Sequence, residues 1–291
     1  MEETFRQTRL GALRVLRAGP PDGARAVLCW PGLGLTAQEF HRVLREGAQR
    51  GVPVLAVDPP GHGRSAPAPE VTWADLAEVL RDLAAELPSA QLLLVGHSAG
   101  ATALLYGARG LADRVAGIVL GDGAFHDSAV HGSEAELSAK NEEWLRQMTY
   151  PDWESCLGAS RAEFETWDED LEAGVRDLFA QGEDGMVRAR GDLQTLTRWS
   201  VLLRDYRPLG APLLDVPVLA LWAGEDPLAE PPGLAALRTR LQRLEARCLV
   251  GSGHELFWDQ PAASSDAIWR FFDEGCDWAA GQGLPRPSTR G

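Results

Sequence analysis

The chain has 291 residues, of which 45% are hydrophobic, and a formal charge of −14. That length suffices for one α/β domain with an insertion, and the acidic balance argues against nucleic-acid binding, which needs basic surface. No run of about 20 apolar residues occurs, so no membrane-spanning helix is expected. Met1 to Arg6 lacks a basic region followed by an apolar stretch, and the cytoplasm is the expected location. Cys29, Cys156, Cys248 and Cys276 are scattered without metal-type or redox-type spacing and read as reduced thiols.

Thr4–Arg9 and Ala12–Arg17 predict an opening hairpin around Leu10-Gly11. Ala26–Trp30 and Val52–Asp58 read as strands, with a helix over Gln38–Arg50 between them. Thr72-Trp73-Ala74-Asp75 opens a helix whose stripe is Leu76, Val79, Leu80, Leu83 and Leu87. Leu92–Val95 and Val115–Leu120 continue the strand set, and such alternation predicts a mainly parallel sheet covered on both faces. From Phe125 to Pro208 the alternation stops and the segment reads as helical throughout, with capping boxes at Ser133–Glu136 and Ser160–Glu163. Val216–Trp222 and Ala246–Val250 return to strands, and Gln260-Pro261 opens a last helix. The expected organisation is a core over 1–124 and 209–275, an insertion over 125–208, and a loosely held tail over 276–291.

Gly96-His97-Ser98-Ala99-Gly100 follows the apolar run Leu92–Val95 and precedes the helical spacing of Ala101, Leu104, Leu105 and Ala108. G-x-S-x-G at the end of a strand puts the serine on a tight, strained turn that exposes its hydroxyl, so Ser98 is the candidate nucleophile. His254 in Gly251-Ser252-Gly253-His254 is the candidate base, because an imidazole takes and returns a proton near neutrality. Asp226, after the strand ending at Trp222, is the expected acid that fixes the imidazole tautomer; Asp122 in Gly121-Asp122-Gly123 is its rival.

The chain order serine, acid, histidine resembles that of the α/β-hydrolase superfamily, in its serine-nucleophile, esterase- or lipase-like branch. The resemblance runs from Val27 to the C-terminal helix. Asp58-Pro59-Pro60-Gly61-His62-Gly63-Arg64-Ser65 is similar to the superfamily's D-x-P-G-x-G-x-S loop, and Cys29-Trp30-Pro31-Gly32-Leu33-Gly34 stands where its oxyanion loop lies. That loop usually reads His-Gly, whereas this chain has Pro31-Gly32. The resemblance implies an α/β-hydrolase sheet flanked by helices, with the insertion after the sixth strand as a cap over the active site. It also implies an oxyanion hole from the backbone N–H groups of Ala99 and Leu33.

The expected activity is hydrolysis of a small to medium apolar ester through an acyl-enzyme, without metal or organic cofactor. The same triad elsewhere in the superfamily cleaves amides, thioesters, lactones and carbon–carbon bonds or acts as a cofactor-free haloperoxidase or perhydrolase. A ligand-binding protein that has kept the fold is the reading from another class. Trp30 and Phe125, near the sheet's catalytic edge, are the candidate pocket residues, while packing is expected for Trp144, Trp153, Trp167 and Trp199. Structural roles are expected for His62 and His97, surface or loop roles for His126 and His131, and an exposed position for His41. Asp168-Glu169-Asp170 reads as a solvated helix face. The substrate's identity and the oligomeric state are left open.

Overall fold

A computed structural model of the chain describes residues 1–87, 90–125, 130–164, 167–207 and 213–278. Strands β1 (Glu2–Thr8) and β2 (Gly11–Ala18) form the expected hairpin. There follow β3 (Arg25–Trp30), a 3₁₀ turn (Ala37–Phe40), α1 (His41–Arg50), β4 (Val54–Val57), α2 (Trp73–Ala85), β5 (Gln91–His97), α3 (Ala99–Gly107) and β6 (Val115–Gly121). The inserted segment contains α4 (Glu134–Gln147), β7 (Thr149–Tyr150), α5 (Trp153–Glu163), α6 (Glu169–Leu178), β8 (Phe179–Gln181), β9 (Val187–Ala189) and α7 (Leu193–Asp205). The chain then returns as β10 (Val218–Gly224), α8 (Pro232–Arg238), β11 (Leu244–Val250), α9 (Leu256–Asp259) and α10 (Pro261–Arg270).

The main sheet has eight strands in the order β1-β2-β4-β3-β5-β6-β10-β11, parallel from β4 onward. Inner strands β4, β6 and β10 are apolar without interruption because both faces of the sheet are covered there, and side chains still alternate between two cores. Leu92 and Leu94 face one core with the α2 stripe Leu76, Val79, Leu80 and Leu83. Leu93 and Val95 face the other, with Val43 and Leu44 of α1 and Ile268 and Trp269 of α10. The start of α2 is a complete capping box between Thr72 and Asp75, and α4 begins with the one expected between Ser133 and Glu136.

Three expectations about local structure change. The insertion is not helical throughout: β7, β9 and β8 form a small antiparallel sheet. The stretch Gly182-Glu183-Asp184-Gly185 turns β8 into β9, with Gly185 at φ +79° and the Gly182 N–H on the Met186 carbonyl. Ser160 is no helix start. It lies inside α5, and its Oγ donates to the Cys156 carbonyl one turn back at 3.0 Å. α5 itself and the following α6 are capped instead by Asp152 and Asp168, whose carboxylates accept the amides of Ser155 and Leu171. His41 is buried rather than exposed, stacked on Trp258 with its centroid 5.8 Å away. His126 and residues 208–212 and 279–291 lie outside the described residues.

The insertion sits against the loops at the C-terminal ends of the parallel strands. Trp199 of α7 donates from Nε1 to the Pro60 carbonyl at 3.3 Å, and Thr195 Oγ1 accepts the Ala68 amide at 2.9 Å. Asp170 pairs with Arg45 of α1. Asp177 of α6 is buried and accepts from Arg14 Nη1 at 2.7 Å and from Thr36 Oγ1 at 3.0 Å. Arg14 also reaches Asp58, fully buried at the start of the Asp58–Ser65 loop, which accepts the amides of Ala37 and Arg64. Burial raises the Asp58 pKa, and the Arg14 charge and these amides offset part of the rise. Losing one partner from such a buried network costs about 3–5 kcal/mol, because a charge stays behind uncompensated.

Candidate active site

Ser98 connects β5 to α3 with φ +49° and ψ −115°, a strained geometry for a residue with a side chain. Two close approaches make it possible. A Cβ on Gly96 would stand 2.5 Å from Ala101 Cα, and one on Gly100 would stand 2.2 Å from the Trp30 carbonyl oxygen. The turn is anchored by the Ser98 N–H, which donates to the Gly121 carbonyl of β6 at 2.8 Å.

His254 arrives from the loop after β11. Its Nε2 is 3.0 Å from Ser98 Oγ, and its Nδ1 is 2.6 Å from Asp122 Oδ2. The acid that meets the imidazole is therefore Asp122, and the expectation for Asp226 is corrected. Asp226 is exposed, and its Oδ1 accepts the Leu228 amide at 2.8 Å, closing its own turn. The reason is strand order. β6 pairs directly with β5, so a residue just past Gly121 leaves the sheet beside Ser98, whereas β10 lies one strand further out. At φ +38° the Asp122 backbone bends back, its N–H donating to Leu221 O at 2.8 Å and its Oδ1 accepting the Ala223 N–H at 3.3 Å. Burial acts to raise the Asp122 pKa, but the bonds from His254 and Ala223 outweigh it and hold the carboxyl below its ordinary value.

Ala99 is the first residue of α3, where helix geometry leaves the N–H without an intrahelical acceptor. Leu33 lies in the turn closed by the Leu35 N–H on the Gly32 carbonyl, directly after Trp30-Pro31, whose carbonyls touch Gly100. Leu33 also borders a cavity of about 140 Å³ between the insertion and the core, with Trp144, Leu171, Val175, Trp258 and Glu255 on its wall. Trp30 and Phe125 do not border this cavity. Both are fully buried in the core on the α2 side, where Trp30 continues the face of Ala26 and Leu28. Trp199 is likewise core, whereas Trp144 reaches the cavity.

Sequence reading placed His97 only as a structural residue, and its partners went unseen. The ring is fully buried, with Nδ1 2.6 Å from Glu39 Oε1 and Nε2 2.9 Å from the His254 carbonyl. Burial alone would lower its pKa, but Glu39, Glu255 and the His254 carbonyl push it up to about 9. Burial pushes His62 down to about 4, against the opposing bond to the Pro60 carbonyl. Glu39, His97 and Glu255 form a group of possible ligand atoms within 4.8 Å. The closest pair, His97 Nδ1 and Glu39 Oε1, is an ion pair at 2.6 Å that lies outside hydrogen-bond geometry, and these two atoms and Glu255 Oε2 are buried without a hydrogen-bond partner among the described residues; two ligands of a tetrahedral zinc stand farther apart, at about 3.3 Å. Among the described residues no helix is long and apolar enough to cross a membrane.

No curated protein sequence matches the chain. Solved structures similar to it include the thioesterase domain from a curacin biosynthetic pathway, at 22% identity over 92% of this chain and 99% of that one, with a TM-score of 0.73. An E-2-(acetamidomethylene)succinate hydrolase is similar at 19% identity over 94% and 100%, with a TM-score of 0.75. An esterase of M. tuberculosis is similar at 23% over 93% and 92%, with a TM-score of 0.65. At these identities the likeness is one of fold. The family profile goes further, matching residues 27–267, from the strand before the Pro31-Gly32 loop to the helix behind His254. By that match the chain belongs to the alpha/beta hydrolase family.

Proposed function

We propose that the protein is a serine hydrolase that cleaves small apolar carboxylic esters through an acyl-enzyme. The observation that carries the reading is the continuous hydrogen-bonded line Asp122–His254–Ser98, ending on a strained turn. In the proposed cycle Ser98 Oγ attacks the ester carbonyl as its proton passes to His254 Nε2. The amides of Ala99 and Leu33 hold the oxyanion, and Asp122 stabilises the imidazolium. His254 then protonates the leaving alkoxide and afterwards takes a proton from the water that frees the acid.

We take the cavity beside Leu33, which borders the proposed oxyanion loop, as the acyl site. A space of about 140 Å³ with mostly apolar walls suits a short chain or a single ring; an apolar cavity of about 150 Å³ holds benzene. Esters head the substrate list in line with the esterase among the structural neighbours, and thioesters follow because another neighbour is a thioesterase domain.

A fluorophosphonate probe tests the reading, with the modified residue mapped by mass spectrometry. Stoichiometric labelling of Ser98, lost in Ser98→Ala, is expected, together with a p-nitrophenyl ester preference at about four to six acyl carbons. A folded protein that takes no label would transfer the reading to a binding protein or to chemistry without an acyl-enzyme.

A further inference from the structure

We propose that the buried pair His97–Glu39 is a positioning strut that sets the oxyanion loop, the nucleophile turn and the base loop relative to one another. The proposal rests on the acyl-enzyme reading above. Its path can be followed atom by atom. The Gly32 N–H, one residue before Leu33, donates to Glu39 Oε2 at 3.2 Å. Glu39 Oε1 faces His97 Nδ1 at 2.6 Å, and His97 Nε2 donates to the His254 carbonyl at 2.9 Å. His97 is bonded to Ser98, so each of the three machine parts is held by this one line.

The line needs a cation in its middle. With Nε2–H committed to the His254 carbonyl, a neutral His97 would turn its Nδ1 lone pair toward a carboxylate. A proton on Nδ1 resolves the clash, and both side chains are wholly buried, so water cannot stand in. Space is equally committed: a Cβ on Gly32 would stand 2.9 Å from His97 Nδ1, so the loop lies directly on the ring. The His97 and His254 rings are 4.9 Å apart between centroids. The charged or titratable groups facing His97 are Glu39 from the 3₁₀ turn, Glu255 and His254 from the β11 loop, and Asp122 from the β6 loop. Cys29 lies close to Glu39, and burial with that carboxylate keeps it a thiol well past its ordinary range.

Glu39→Gln separates positioning from packing. Its amide oxygen can accept from Gly32, and its NH2 can donate to a neutral His97 that still donates to the His254 carbonyl. The line is preserved without charge. Neither Glu39 nor His97 touches the reacting atoms, so their loss acts through placement, for which an error of about 1 Å costs up to about 100-fold.

Four proteins are compared: wild type, Glu39→Ala, Glu39→Gln and His97→Ala, each checked for folding by circular dichroism. Expected are a kcat lowered about 10- to 100-fold in the two alanine variants with KM within about threefold, a matching fall in the fluorophosphonate rate, and near wild-type values for Glu39→Gln at pH 7.5. Wild-type kcat should also fall on the alkaline side near pH 9 as His97 loses its proton, and that limb should vanish in Glu39→Gln. A folded Glu39→Ala with wild-type kcat overturns the strut, as does a Glu39→Gln that keeps the alkaline limb. If the alanine variants do not fold, the limb in Glu39→Gln decides alone. Failure of the acyl-enzyme reading looks different: the wild type itself takes no label. In that case the strut is read by proton NMR, where a downfield His97 Nδ1–H that persists to about pH 9 in the wild type is expected and its absence overturns it.

Discussion

Two histidine–carboxylate pairs stand side by side next to Ser98, with the same 2.6 Å spacing and opposite surroundings. In one, the His254 side chain is 54% exposed and that of Asp122 17%. In the other, His97 and Glu39 are both at 0%. The open pair can exchange a proton with a neighbouring oxygen, which is what a general base requires. The sealed pair has reason to keep its proton through the neutral range, since a buried carboxylate without a cation is costly. Burial, more than bond length or residue type, divides the two roles.

Four substitutions or conditions would break or sharpen that contrast. The largest effect is expected from the open pair. Asp122→Asn should lower kcat by about 10⁴-fold with the fold retained, because the amide favours the wrong imidazole tautomer. Steady-state kinetics on a p-nitrophenyl ester would measure it, and a loss under tenfold would separate Asp122 from the proposed mechanism.

The sealed pair should answer in stability. Glu39→Ala leaves the buried His97 without its counter-charge and is expected to cost about 3–5 kcal/mol in urea unfolding, whereas Glu39→Gln should cost much less. Equal losses in both would mean that volume, not polarity, is what the site requires.

The pairs should also part company along the pH axis. His97 has a folded pKa of about 9, above the ordinary value of 6.5, so its contribution is complete below about pH 6.5 and is lost as pH rises through about 9. Asp122 is depressed below 3.8, so its contribution is present above that value and is lost as pH falls through the lower folded value. Thermal scans from pH 3 to 10 should therefore give a dome, and the alkaline shoulder should flatten in Glu39→Gln. The smallest effect is reserved for the aspartate that faces neither histidine: Asp226→Asn should change kcat by no more than about twofold.

The motif, the base and the sheet were legible because each is written locally. The continuous apolar run Leu92–Val95 and the glycines around Ser98 need no knowledge of distant residues. The choice between Asp122 and Asp226 was not legible, because both follow apolar strands and only strand order puts one of them beside β5. The positive φ of Asp122 was foreshadowed by its flanking glycines, a signal that was available but outweighed by the more usual location. Glu39 and His97 lie 58 positions apart, and no spacing rule joins a 3₁₀ turn to the end of β5. His41 misled for a related reason. A polar residue at the start of an amphipathic helix reads as solvent-facing until Trp258 is seen to cover it. The Ser160 motif had the letters of a capping box, but Asp152 had already started that helix one residue before Trp153.

The salt bridge from Arg14 to Asp177 spans 163 positions of chain. The ladder beside Ser98 joins β5 with β6, close in sequence, whereas β6 and β10 pair across the whole inserted segment. Closing the longer loop costs more chain entropy and is repaid only once both ends are already shaped. Folding should therefore have an order: the β5–β6 pair and its serine turn assemble first, and α6 seats afterwards on a surface that β2 and the Asp58 loop have prepared. On this schedule the nascent chain forms its nucleophile turn before the inserted segment is seated.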